Sequence, residues 1–129
     1  MEKVICDTDV MIDDLDKRRS RHIDTVNAIN IIGSDNLTIS AITKMELIAG
    51  IENKAELRSL KNNIDLFTTL HLNQQITLIA LELMETYKLS HGLEIPDALI
   101  AATSLYTGFD LYTFNLKDFK FIPELKLYK

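Results

Sequence analysis

Apolar residues along this chain follow two spacings that take turns. Val4-Ile5-Cys6 is a short apolar run that stops against Asp7-Thr8-Asp9. A run of that kind predicts a buried strand, at the centre of a parallel sheet. Asp9 to Leu15 is expected as a short helix, with Asp7 and Asp9 supplying carboxylates to its start. Ile23, Val26, Ile29 and Ile31-Ile32 recur at helical spacing, and Gly33 ends that helix. Leu37-Thr38-Ile39 alternates as a strand does. Thr43 to Gly50 reads as a helix after a turn. Ala55 to Leu70 reads as a polar-rich helix with Leu57, Leu60, Ile64 and Phe67 on one side. Leu70-His71-Leu72 is expected as a very short strand.

Asn73 is placed as an N-cap. Behind it Ile76, Ile79, Ala80, Leu83 and Tyr87 fall three and four apart, the stripe of an amphipathic helix that ends at Gly92. Ile95-Pro96-Asp97 opens another helix, with Pro in the first turn and a carboxylate beside it. Ala98 to Thr103 is apolar nearly all round, which predicts a buried helix capped by Gly108. Leu111 to Phe114 is expected as a strand, followed by a turn over Asn115 to Phe119. Lys126-Leu127-Tyr128 is a candidate edge strand. Strands alternating with helices imply a parallel sheet with helices on both faces, an α/β fold.

With 129 residues the chain is expected to be one domain, 1–129. Hydrophobic residues make up 47% and charged ones 26%, so no disulfide or structural metal is needed to hold the fold. The one cysteine, Cys6, lies inside the first strand and reads as a buried thiol. No signal segment precedes Val4, and no apolar run nears the ~18 residues of a membrane span. The expectation is a cytoplasmic protein without a membrane partner. Fourteen Lys and Arg against nineteen Asp and Glu leave a net charge of −5, which argues against a general nucleic-acid coating protein. The basic run Lys17-Arg18-Arg19-Ser20-Arg21 reads first as a solvated face, and second as a contact for RNA phosphates.

Four acids stand out: Asp7, Glu46, Asp97 and Asp118. Singly, each has a structural explanation. Asp7 or Asp9 caps a helix, Thr43-x-x-Glu46 matches a capping box, Asp97 suits a helix start, and Asp118 suits an Asx-turn after Asn115. Together they lie where segments enter or leave strands, so a right-handed parallel layout brings them to one rim. Carboxylates gathered there repel one another, and a hard divalent cation relieves that. Oxygen ligands with open water positions suit Mg²⁺ or Mn²⁺. Such ions assist phosphodiester hydrolysis. His22, His71 and His91 show no ligand spacing and are read as surface or packing residues.

Four segments in order carry a family resemblance. Val4-Ile5-Cys6-Asp7-Thr8-Asp9-Val10-Met11-Ile12-Asp13, Ser40 to Gly50 around Glu46, Ile95-Pro96-Asp97 to Thr103, and Thr113-Phe114-Asn115-Leu116-Lys117-Asp118-Phe119 resemble the acid-bearing blocks of PIN domains, specifically the VapC ribonuclease toxins. The resemblance spans nearly the whole chain. It implies a three-layer α/β/α sandwich around a mainly parallel sheet. It implies an Mg²⁺- or Mn²⁺-dependent endoribonuclease acting on RNA. It implies catalytic and metal-binding roles for Asp7, Glu46, Asp97 and Asp118, with Asp9 or Asn115 able to share the work of Asp118. A homodimer and a cognate antitoxin that blocks the site are implied as well. Thr8, Thr43 and Thr113 are hydroxyl candidates for orienting the carboxylates.

Two other readings stand beside it. Asp7-x-Asp9 after a strand also resembles aspartate-nucleophile phosphatases, but none of the four glycines is followed by the Asp that class requires. A non-catalytic binding module, with the acids docking an arginine-rich partner, is the other.

Overall fold

The computed structural model describes residues 2–129. Its regular elements, in chain order, are β1 Val4–Cys6, α1 Thr8–Leu15, α2 His22–Ile32, β2 Leu37–Ser40, α3 Ala41–Ala49, α4 Lys54–Ile64, β3 Thr68–Leu70, α5 Gln74–His91, α6 Ile95–Thr107 and β4 Asp110–Tyr112. The sheet order is β3-β2-β1-β4, and every pairing is parallel. Val4 pairs with both Leu37 and Asp110, which fixes β1 as a central strand.

Strand pleating sends neighbouring side chains to opposite faces. Val4 and Cys6 join Leu37 and Ile39 in one apolar cluster, under α2 and α4 (Ile29, Ile32, Leu60, Ile64). Ile5 and Leu111 join the other, under α5 and α6 (Ile76, Leu83, Ala98, Ala101). These are the two helical layers of an α/β/α sandwich. α6 is buried at six positions from Ala98 to Ser104, as its apolar sequence predicts. Gly92 and Gly108 end α5 and α6 in the left-handed conformation, where a side chain would be strained. Among the described residues no helix is long and apolar enough to cross a membrane.

Chain order reverses at β1: β2 and β3 extend the sheet one way, and β4 is laid down on the other side. The C-terminal ends of β1 and β4 therefore flank the switch point, where α/β sheets open a crevice.

Several boundaries differ from the sequence expectations. The helix expected over Ala55 to Leu70 stops at Ile64, where Phe67 N–H donates to Ile64 O (3.0 Å) in a closing turn. Phe67 is buried from outside the helix, so its i+3 spacing to Ile64 mimicked helical periodicity. The strand expected at Leu70–Leu72 begins two residues earlier, over the β-branched Thr68 and Thr69. No turn separates β2 from α3. Ser40 ends the strand and caps the helix, accepting from Ile42 N–H. β4 ends at Tyr112, because Thr113 and Phe114 are engaged by acids on the rim. Lys126–Tyr128 makes a single bridge, between Leu127 and Leu111, rather than a strand.

Candidate active site

The rim is built from the end of β1. Asp7 is buried at 4% exposure. Its backbone N–H donates to Tyr112 O across the β1–β4 pair (2.9 Å). Its Oδ1 accepts from Thr8 N–H (2.8 Å), which makes it the N-cap of α1. Its Oδ2 accepts from the Thr113 hydroxyl (2.8 Å). Asp9 pins the same closing loop: one oxygen accepts from Val10 N–H (2.7 Å), the other from Phe114 N–H (3.0 Å). The first acid is thus held by two elements remote in sequence, and the switch-point geometry follows from that clamp.

Glu46 is exposed on α3, and its Oε1 accepts from the Thr8 hydroxyl (2.7 Å). The Thr8 oxygen also lies 3.1 Å from the Thr43 hydroxyl. The capping box expected for Thr43 and Glu46 is not formed. Ser40 is the cap, and Glu46 turns toward α1 instead. Asp97 sits half-buried in the first turn of α6. Asp118 closes a 3-10 turn over Leu116–Asp118, and its N–H donates to Asn115 O (3.0 Å). The Asx-turn expected of Asp118 is not formed: Lys120 N–H, which such a turn would bind, donates to Leu116 O instead (2.8 Å). Asn115 N–H donates to the Thr113 hydroxyl (3.1 Å), which keeps that hydroxyl aimed at Asp7.

Electrostatics ties these acids into one group. Burial, then the Asp9 carboxylate, pushes Asp7 up to about 7, although its bonds from Thr113 and Thr8 pull the other way, and Asp97 adds to the rise. Burial, then Asp118, Glu94, Glu46 and Asp9, pushes Asp97 up to about 6. Asp9 is raised by burial, against the Phe114 and Val10 bonds. Among the described residues no salt bridge reaches Asp7, Asp9, Glu46, Asp97 or Asp118. The rim therefore carries negative charge that the Arg21 guanidinium offsets in part at Asp9, and that no ion pair among the described residues offsets at the other acids.

The donor set fits a hard divalent cation. It offers carboxylate oxygens and contains no thiolate or imidazole ligand. Among the described residues no three His, Cys, Asp or Glu side chains converge closely enough to hold a metal ion as they stand.

All three predicted hydroxyls lie at the rim: Thr113 on Asp7, Thr8 on Glu46, and Thr43 beside Thr8. Cys6 is buried, and burial ahead of Asp14 and Asp7 pushes its thiol up to about 12, so it is unreactive. In the basic run, Arg18 pairs with Asp16 (3.0 Å) and Arg21 with Asp13 (3.5 Å), and the Arg21 guanidinium lies 4.4 Å over the Phe114 ring. His22 Nδ1 is 2.9 Å from Asp13 O, and His71 is exposed. Two residues outside the predicted set border Asp97 and Asp118 in a small cavity: Glu94 and His91. Neither carries a sequence signal: Glu94 belongs to no motif, and His91 has no ligand partner at motif spacing.

A parallel three-layer sandwich with an acid-lined, cation-poor rim at its switch point defines the class of protein. The PIN domain family model matches residues 4–124, and the chain belongs to that family, in its VapC branch. It is 30% identical over 130 residues to Ribonuclease VapC1 of Methanocaldococcus jannaschii, covering 98% of this chain and 87% of that protein. It is 28% identical over 123 residues to Ribonuclease VapC19 of Mycobacterium tuberculosis, covering 95% and 96%. Among solved structures it resembles a toxin-antitoxin complex from Klebsiella pneumoniae, with a TM-score of 0.78, 29% identity and 95% of each chain covered.

Proposed function

We propose that this protein is the ribonuclease toxin of a toxin–antitoxin pair, and that it hydrolyses RNA internally with a divalent cation held by Asp7, Glu46, Asp97 and Asp118. The observation that carries the reading is the mutual coupling of acids from separate segments on one rim, with Asp7 and Asp97 raised and no cation from the protein beside them. The relatives named as ribonucleases, and the toxin-antitoxin complex of the same fold, support the activity and the partner.

Asp7 and Asp97 would be the principal holders of the ion, and Glu46 and Asp118 would add to the same carboxylate set. Bound Mg²⁺ or Mn²⁺ supplies an acidified water as nucleophile and stabilisation for the leaving oxygen. Thr113 donates to Asp7, which fixes the direction of that carboxylate and favours its ionised form. Thr8 does the same for Glu46. The raised affinity of Asp7 and Asp97 for protons makes proton and metal compete for the same oxygens, so cleavage rises with pH toward neutrality and above. The chain acts as a single PIN unit in the cytoplasm, paired with a second copy and restrained by its antitoxin. The test is cleavage of total RNA by the purified protein in Mg²⁺ or Mn²⁺, beside EDTA and Asp97→Asn. Cutting lost in both controls is expected. Cutting that survives Asp97→Asn overturns the site assignment.

A further inference from the structure

Beside the acid rim, where α5 hands over to α6, lies a small cavity of about 160 Å³. Asp97, Asp118, His91, Phe121 and Glu94 are among its lining residues. The His91 and Phe121 rings are stacked, 4.0 Å between centroids at an interplanar angle of 15°, and Tyr87 braces both from the side. Phe121 and Tyr87 pack against the core, while His91 is exposed, so the stack presents its imidazole side to solvent beside the cavity. Glu94 occupies the N-cap position of α6 yet makes no side-chain capping bond. Among the described residues it has no hydrogen-bond or ion-pair partner, so both its oxygens are open acceptors. Leu93, buried between His91 and Glu94, anchors the segment that carries them.

Flat rings beside an open carboxylate suit a planar ligand with N–H donors on one edge. Aromatic side chains stack on unpaired bases regardless of sequence. A carboxylate only accepts, and two adjacent donors on one edge satisfy both its oxygens. Guanine offers such a pair, N1–H and N2–H₂. Uracil flanks its single N–H with carbonyls that repel a carboxylate. We propose that this cavity is a nucleobase subsite: one unpaired base of the RNA strand stacks on the His91–Phe121 pair and donates to Glu94, with guanine preferred. The inference rests on the nuclease reading and goes further, because it sets which nucleotide lies next to the carboxylates.

The test is fluorescence anisotropy of a labelled hexaribonucleotide, UUUGUU, against UUUUUU and against the same strand with an abasic ribose in place of guanosine. EDTA prevents cutting during the measurement. The intact protein is expected to bind UUUGUU about tenfold more tightly than either control. His91→Ala is expected to lose that advantage and to leave abasic binding unchanged, whereas His91→Phe keeps the stacking surface and restores it. Glu94→Gln is expected to erase the preference for guanine over uracil, and it does not touch the aromatic packing, so it decides the matter if His91→Ala melts. Equal affinity for the three strands, or no measurable binding, overturns the subsite. Free guanosine 5′-monophosphate binding as tightly as the hexamer also overturns it, in favour of a mononucleotide site. Cleavage in Mn²⁺ is scored separately. Cutting with base-independent binding sinks the subsite alone, and base-dependent binding without cutting sinks the nuclease reading alone.

Discussion

Two groups of carboxylates lie along α1, and the fold treats them in opposite ways. At the C-terminal half, Asp13 is buried and faces the Arg19 and Arg21 guanidinium groups, while Asp16 is paired with Arg18 and Arg19. At the N-terminal half, Asp7 and Asp9 are also withdrawn from water, but they form no ion pair: their hydrogen-bond partners are hydroxyl and backbone N–H groups, and Arg21 acts on Asp9 only from beyond contact. The first group is neutralised within the chain. The second fixes the direction of its oxygens without cancelling their charge, and Asp97, Glu46 and Asp118 add to the excess. Oriented charge without an ion-pair partner is costly to folding, and a bound cation would relieve that cost.

Substitutions in the two groups should separate sharply. Asp97→Asn is expected to lower RNA cleavage by at least about 100-fold while the protein stays folded, measured by initial rates beside circular dichroism. Thr113→Val removes the hydroxyl that aims Asp7 and should cost about 10- to 100-fold in cleavage, with most of the loss recovered by Thr113→Ser. A Thr113→Val protein of unaltered rate would show that the hydroxyl is only structural.

The pH dependence of stability sharpens the contrast. The folded-state pKa of Asp7, about 7, stands above its ordinary value of 3.8, so the metal-free native state binds more protons than the unfolded chain. Stability therefore falls as pH rises from about 4 to about 7. Asp97, raised to about 6, adds to the fall over the lower part of that window. A loss on the order of 2 kcal/mol is expected in urea melts between pH 5 and pH 8 without metal. Saturating Mg²⁺ should flatten the slope, because the cation does the same work as the protons. Asp13→Asn gives the smallest effect of the series. It should cost about 1–2 kcal/mol, since its arginines are free to hydrate, and leave cleavage within about twofold.

The sequence made the framework readable where local signals agreed. Val4-Ile5-Cys6, the Asn73 and Gly92 caps of α5, and the Ile95-Pro96 start of α6 all lie where periodicity and capping residues predicted. The alternation of strands and helices was enough to place Asp7, Glu46, Asp97 and Asp118 on neighbouring segments of one rim. What it misjudged were local ambiguities settled by tertiary contacts. Phe67 kept helical spacing beyond the true end of α4, and Thr43-x-x-Glu46 spelled a capping box although Ser40 was the better-placed cap. The family resemblance pointed to Thr113 as an orienting hydroxyl, but its clamp on Asp7 spans 106 residues, so no local pattern could say which carboxylate it meets. Glu94 and His91 stayed hidden for a related reason: their neighbours in the cavity, Asp118 and Phe121, come from the far end of the chain.

The central claim is that the acid rim, and not the arginine-paired group beside it, holds a divalent cation. Isothermal titration of Mn²⁺ into the metal-free protein at pH 8 tests it directly, with Asp97→Asn and Asp13→Asn run in parallel. Saturable binding of one or two ions, abolished or weakened at least about tenfold by Asp97→Asn and unchanged by Asp13→Asn, is the predicted result. Absence of saturable binding, or binding that Asp97→Asn leaves intact, would contradict it.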